Sequence, residues 1–343
     1  MRKTLYVSTL ALILAALAST AGAQTTRSAP AARSAAQAGA QAAADSLPLP
    51  TADAVLTIDL RRLFTEVMPR ALAGDATRAA QVNADVEQFK ARTGIDPREF
   101  DSMAVGARFI PLPSGAIKVD RVTAVARGRV RADALVAAAR TASKGTLAEQ
   151  QYGGKTVYVS AINDQIKLFG LVKSHVRELA FAVLDANTLA VGEPEDVRAA
   201  IDAQAGRGRA DLSMLNFPRA AGDFAAFAGR VPAGVLSGVE TGLPNVDRAI
   251  ASIRGFYGTV GSSPAGLQLM TTLRAQTEAD AKQLFNTADA MRQIAPGLIA
   301  AGGEKAKWAQ GLVSSLKLTT KGNEVQMRLE VPQSEVANIL RSL

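Results

Sequence analysis

Apolar and polar positions alternate in short runs along the chain, and the period of each run predicts its element. Val55 to Leu60 is a short apolar run that predicts a strand. Leu60, Leu63, Phe64, Val67 and Met68 then recur at helical spacing. Pro69 is expected to bend or end that helix, because its ring clashes with the preceding turn and it lacks an N–H. Asp75 fits the N-cap of a second helix, with Val82, Val86 and Phe89 on one face and Gly94 closing it. Ser102–Ile110 and Val119–Arg129 read as strands joined by a loop holding Pro111, Pro113 and Gly115. A short helix is expected over Ala132–Ala142, and two or more strands between Thr156 and Gly170. Leu179–Leu184 and Thr188–Gly192 form a hairpin around Asp185-Ala186-Asn187. Pro194-Glu195-Asp196 opens another helix, with Pro in the first turn and acids at the positive end of the helix dipole.

The second half repeats this punctuation. Ala52-Asp53 is echoed by Ala210-Asp211, and Thr93-Gly94-Ile95 by Thr241-Gly242-Leu243. Arg127 followed by Ala132-Asp133-Ala134 is echoed by Arg274 followed by Ala279-Asp280-Ala281. Asn187 and Pro194 are echoed by Asn323 and Pro332. The predicted fold class is therefore α+β: two similar units, each an antiparallel sheet covered on one face by helices. The first unit is placed at residues 51–208 and the second at 209–343. The second is the shorter, so the extra residues of the first are expected in the Lys144–Lys173 region.

The N-terminus changes the picture of where the chain works. Arg2-Lys3 precedes an apolar run from Leu5 to Ala18, and Ala21 and Ala23 place small side chains before Gln24. That layout predicts a secretory signal over residues 1–23, cut before Gln24. The run of about 14 residues is short for a bilayer span, so no membrane span is expected after cleavage. Residues 24–50, rich in Ala, Gln and Ser, carry no bulky apolar side chain before Leu47 and predict a disordered linker. The chain has no cysteine, which removes disulfides, thiol catalysis and a lipid-bearing Cys at the cut. Net charge is +8 and falls to +6 when Arg2 and Lys3 leave with the signal. Export, interspersed charges and 5% aromatic content argue against nucleic acid; an anionic polymer of the envelope is the partner this charge suits.

The strand Leu49-Pro50-Thr51-Ala52-Asp53-Ala54-Val55, the turn Thr93-Gly94-Ile95-Asp96-Pro97 and the closing strand–turn–strand–helix from Ser314 to Leu343 resemble a family of uncharacterised exported bacterial proteins with a duplicated α+β unit. The resemblance spans residues 52–343 and implies fold and extracytoplasmic location. It supplies no catalytic residues.

Motifs for chemistry mostly fail on inspection. Tyr152-Gly153-Gly154-Lys155-Thr156 ends like a phosphate-binding loop, but Glu149 stands where that loop needs Gly, and a strand follows where it needs a helix. His175 is the single histidine. Lys173, His175 and Arg177 alternate like the wet face of a strand, and no nucleophile elbow accompanies them. One His and no Cys leave no zinc site and no cofactor motif. Ser314 and Lys317 match Ser-x-x-Lys, but in a run that reads as strand. The acidic groups Glu193, Glu195, Asp196 and Asp96, Glu99, Asp101 sit where helix starts and turns want acids. Trp308 and the apolar stripe Ala281, Leu284, Phe285, Ala288, Met291 read as core packing. Arg127, Arg129 and Arg131 stand out. At a strand end they are expected on one face, able to grip carboxylate or phosphate, or else to guard a sheet edge. The expected function is a non-enzymatic extracytoplasmic protein that binds a partner or anionic polymer. A carrier of an apolar ligand comes second and an exported hydrolase third.

Overall fold

The computed structural model describes residues 47–111, 117–143, 146–168, 172–239, 241–301, 312–313, 315–333 and 335. The signal region with Ala21, Ala23 and Gln24, the linker up to residue 46, Ser314 and Trp308 lie outside the described residues.

The fold is α+β, and every strand pairing resolved residue by residue is antiparallel. Contacts divide the chain into two compact units. Of the described residues, the N-unit takes 47–108 and 121–216, and the C-unit takes 109–111, 117–120 and 217–335.

In the N-unit, β1 (Ala54–Asp59) leads into α1 (Leu60–Arg62), a π-turn over Leu63–Val67 and α2 (Met68–Ala71). The wide turn has a local cause. Pro69 has no N–H to give the carbonyl four residues back, and Met68 N–H reaches five back, to Leu63. Helix α3 (Ala76–Thr93) starts where Asp75 accepts from Arg78 N–H and ends on Gly94 at φ 70°. It is polar and packs on α4 (Ala132–Ala142). Phe89, which shares a face with Val82 and Val86, is 46% exposed. Strands β2 (Phe100–Pro111) and β3 (Ile117–Gly128) follow, then α4, β4 (Ala148–Tyr152), β5 (Lys155–Leu168), β6 (Val172–Asp185), β7 (Thr188–Gly192) and α5 (Pro194–Gln204). The strand order is β1-β2-β3-β7-β6-β5-β4.

Phe181 and Leu189 pack with Leu135 of α4 on one face of this sheet. Ala180, Ala182, Leu184 and Ala190, which alternation turns to the opposite face, are also fully buried. The buried Val197, Ala200 and Ile201 belong to α5, which lies against β5, β6 and β7. Around β6 and β7 the sheet is therefore covered on both faces.

The C-unit runs β8 (Asp223–Arg230), α6 (Pro244–Ala251), β9 (Ile253–Ser263), β10 (Gly266–Ala275), α7 (Glu278–Ala301), β11 (Lys317–Lys321) and β12 (Glu324–Pro332). Its strand order is β8-β9-β10-β12-β11. That is the N-unit order with β4 and β5 removed. The local hydrogen bonds recur as well. Gly128 N–H donates to the Asn187 carbonyl and Ala275 N–H to the Asn323 carbonyl, at 2.9 and 2.8 Å. Arg129 N–H donates to Glu99, and Gln276 N–H to Ser252, at 2.9 Å each. The C-unit core gathers Val231, Leu236, Ile253, Leu273, Leu284 and Val325, and Phe109 from the outer end of β2 packs against it.

Candidate functional site

Strand β3 ends at Gly128, and the chain then runs through Arg129 and Val130 to Arg131, the N-cap of α4. Alternation is lost beyond Gly128, so the three arginines of the sequence motif part company. Arg127 and Arg129 line one cleft; Arg131 pairs with Glu99, the last residue of the short turn before β2.

The cleft has a volume of about 530 Å³ and is lined by Asp101, Arg127, Gly128, Arg129, Asp185 and Asn187. The β6–β7 turn supplies Asp185 and Asn187, held together because Asn187 N–H donates to Asp185 Oδ1 at 2.9 Å. The other Asp185 oxygen accepts from Gln204 Nε2 at 3.1 Å. Asp101, at the start of β2, is taken by Arg61 from the end of the α1 region. Both carboxylates of the cleft thus already have donors. Arg129 is exposed, and its guanidinium has no hydrogen-bond or ion-pair partner among the described residues. Gly128 is required where it sits: a Cβ there would lie 2.3 Å from Phe100 Cα.

The same place in the C-unit is filled differently. Register sets Arg127 opposite Thr188, and Arg274 opposite Glu324. Arg274 donates to Glu324 Oε1 through Nε and Nη2 at 3.1 and 2.9 Å, and Tyr257 Oη donates to Oε2 at 3.0 Å. Burial holds the Tyr257 hydroxyl above its ordinary pKa. A glutamate of the chain itself therefore occupies the arginine that corresponds to Arg127. In the sequence, Asp101 figures only within an acidic group assigned to turns, and Asp185 and Asn187 only as a hairpin turn. Their only signal there was turn chemistry, which is silent about what a turn faces.

Other candidates fall into structural roles. Gly153 and Gly154, at φ 55° and 75°, make the two-residue turn between β4 and β5. His175 lies in β6 opposite Gln165, and its side chain is outside the described residues. Lys317 is the first residue of β11. Asp96 caps the turn before β2, and Asp196 in the first turn of α5 accepts from Arg121 Nε at 2.8 Å. Among the described residues no three His, Asp or Glu side chains gather as a metal site, and no helix is long and apolar enough to cross a membrane.

No protein-family model and no curated protein sequence matches the chain. Solved structures similar to it include crystal forms I, III and IV of TP0453, a Treponema protein. Identities are 8, 9 and 8%, with 86, 86 and 88% of this chain and 95, 96 and 98% of that chain covered. The TM-scores of 0.43, 0.45 and 0.41 are too low for the likeness to carry an argument about function.

Proposed function

We propose that this is an exported, non-enzymatic protein of the envelope or extracytoplasmic space that binds an anionic polymer through the cleft at Arg127 and Arg129. The observation that carries the reading is the guanidinium of Arg129. It stands exposed beside Arg127 in a cleft whose two carboxylates are engaged by Arg61, Asn187 and Gln204. Guanidinium favours carboxylate and phosphate groups through its planar fork of donors. The N-terminal pattern around Ala21, Ala23 and Gln24 supports export, and N-terminal sequencing of the envelope-fraction protein is expected to begin at Gln24.

Retention of the chain from Gln24 onward on immobilised dextran sulfate tests the cleft. Exposed charge contacts contribute about 0.2–1 kcal/mol each, so Arg127→Gln with Arg129→Gln should weaken binding roughly two- to thirtyfold at low salt. The difference should shrink as salt shortens the Debye length to about 8 Å at physiological ionic strength. Arg131→Gln, whose guanidinium is spent on Glu99, should change retention little. Equal retention of the double variant and the parent chain would leave these arginines as surface charge only.

A further inference from the structure

The N-unit sheet ends on β4, and among the described residues no strand pairs on its outer side. The turn at Gly153-Gly154 fixes which backbone groups face outward. In a two-residue hairpin the flanking pair, here Tyr152 and Lys155, exchanges both of its hydrogen bonds. Gln150 with Val157 and Ala148 with Val159 then do the same, since bonded and non-bonded pairs alternate. Glu149 and Gln151 are left with their N–H and C=O groups directed away from β5.

Among the described residues, only the short length of β4 and the charge of Glu149 blunt this edge. The β4–β5 register runs through five consecutive pairs without a bulge, and β4 contains no Pro and no Lys. Its single charge, Glu149, is bound by Arg140 of α4 at 2.7 Å. The strand is held straight from one face: Gln150 Oε1 accepts from Arg198, and Tyr152 Oη donates to Asp202 Oδ2 at 2.8 Å, both partners on α5. The outermost strand of the C-unit, β11, is built the other way. It carries Lys317 and Lys321 at its two ends. Antiparallel self-pairing of β11 about Thr319 would set Lys317 against the partner's Lys321, like charges directly opposite.

We propose that β4 is a self-association edge, and that its occupant is β4 of a second copy of this chain, antiparallel about a twofold axis at Gln150. In that register Glu149 pairs with the partner's Gln151 and Gln151 with the partner's Glu149. These are the residues whose backbone groups face outward, so four backbone hydrogen bonds form. No like charges of β4 stand directly opposite each other in this register, and Gln150 faces the partner's Gln150 in a non-bonded pair. Two five-residue edges bury far less than the roughly 1,200 Å² of a stable interface, so the dimer is weak and concentration-dependent.

The chain lacks cysteine, which makes cross-linking a clean test. A non-bonded antiparallel pair brings Cα atoms to about 4.5 Å, within disulfide reach. Gln150→Cys in the chain from Gln24 onward, oxidised at about 0.1 mM, should form a covalent dimer at least tenfold faster than Thr319→Cys on the lysine-guarded edge. Adding Gln151→Pro removes an outward N–H that β5 does not use and should slow the Gln150→Cys rate to that of Thr319→Cys. Gln150→Glu keeps an acceptor for Arg198 and sets two carboxylates face to face, so it should lower the dimer fraction in sedimentation velocity without shifting the melting midpoint. Equal cross-linking at 150 and 319, or a dimer fraction that Gln150→Glu leaves unchanged, would overturn the proposal.

Discussion

The carboxylate of Asp96 is densely hydrogen-bonded. Oδ1 accepts from Arg98 N–H and Nε at 3.1 and 2.8 Å, and Oδ2 accepts from Arg98 Nη2 at 2.8 Å, with Lys90 Nζ 3.1 Å away. The Arg98 guanidinium holds its pKa well below the ordinary carboxylate range, against the opposing cost of burial. A group whose folded-state pKa is depressed stabilises the fold above its unfolded pKa, and that contribution is lost as pH falls through the acid range. Asp96→Asn should therefore cost about 1–3 kcal/mol at neutral pH. It should also flatten the loss of stability below about pH 4, read by denaturant titration at several pH values. An unchanged acid limb would mean that Arg98 is held by Glu87 alone. Asp96 was legible in the sequence as a turn acid beside Pro97. Its partners were not, because Lys90 reaches it from the preceding helix.

Elements whose cause is local were legible, and elements whose cause is tertiary were less so. Asp75 and Gly94 marked the ends of α3, since an N-cap and a left-handed C-cap are set by neighbouring residues. Val82, Val86 and Phe89 share a face of α3 as their spacing requires, but helical period does not say whether anything lies against that face, and Phe89 is 46% exposed. The arginine motif failed at Arg131 for a similar reason: the alternation argument holds only while the chain stays in β3, and β3 stops at Gly128. Gly94 tests how tightly α3 and α4 are joined. A Cβ there would lie 2.7 Å from Ala138 Cβ and 2.9 Å from the Ala134 carbonyl, on a residue already at φ 70°. Gly94→Ala should cost about 1–2 kcal/mol for the backbone conformation and a further 1–3 for overpacking. A thermal midpoint within a degree or two of the parent would show that α3 simply moves aside.

At the scale of the whole chain, the two strand orders coincide once β4 and β5 are set aside. The turns at Thr93-Gly94 and Thr241-Gly242 also repeat a Thr hydroxyl accepting from the residue two ahead, at 3.1 and 3.3 Å. We infer a duplicated unit, because chance would have to reproduce the connections as well as the turn residues. Nothing in the linear sequence signals that residues 109–111 and 117–120 count with the other unit, since that grouping depends on where these ends of β2 and β3 pack. Phe109 turns this into a measurement. It packs against the core built by Val231, Leu236, Ile253, Leu273 and Leu284, although its strand begins in the N-unit. Phe109→Ala removes a partly buried ring, and the loss should be about 2–4 kcal/mol, at or below the range for fully buried Phe. Because that packing belongs to the C-unit, hydrogen exchange should quicken in β9 and β10 and stay unchanged in β6 and β7 if the units open separately. Leu135→Ala, in the N-unit core, should give the reverse pattern at a cost of about 2–5 kcal/mol. If either variant speeds exchange equally in all four strands, the two units unfold as one, and the division by contacts has no counterpart in stability.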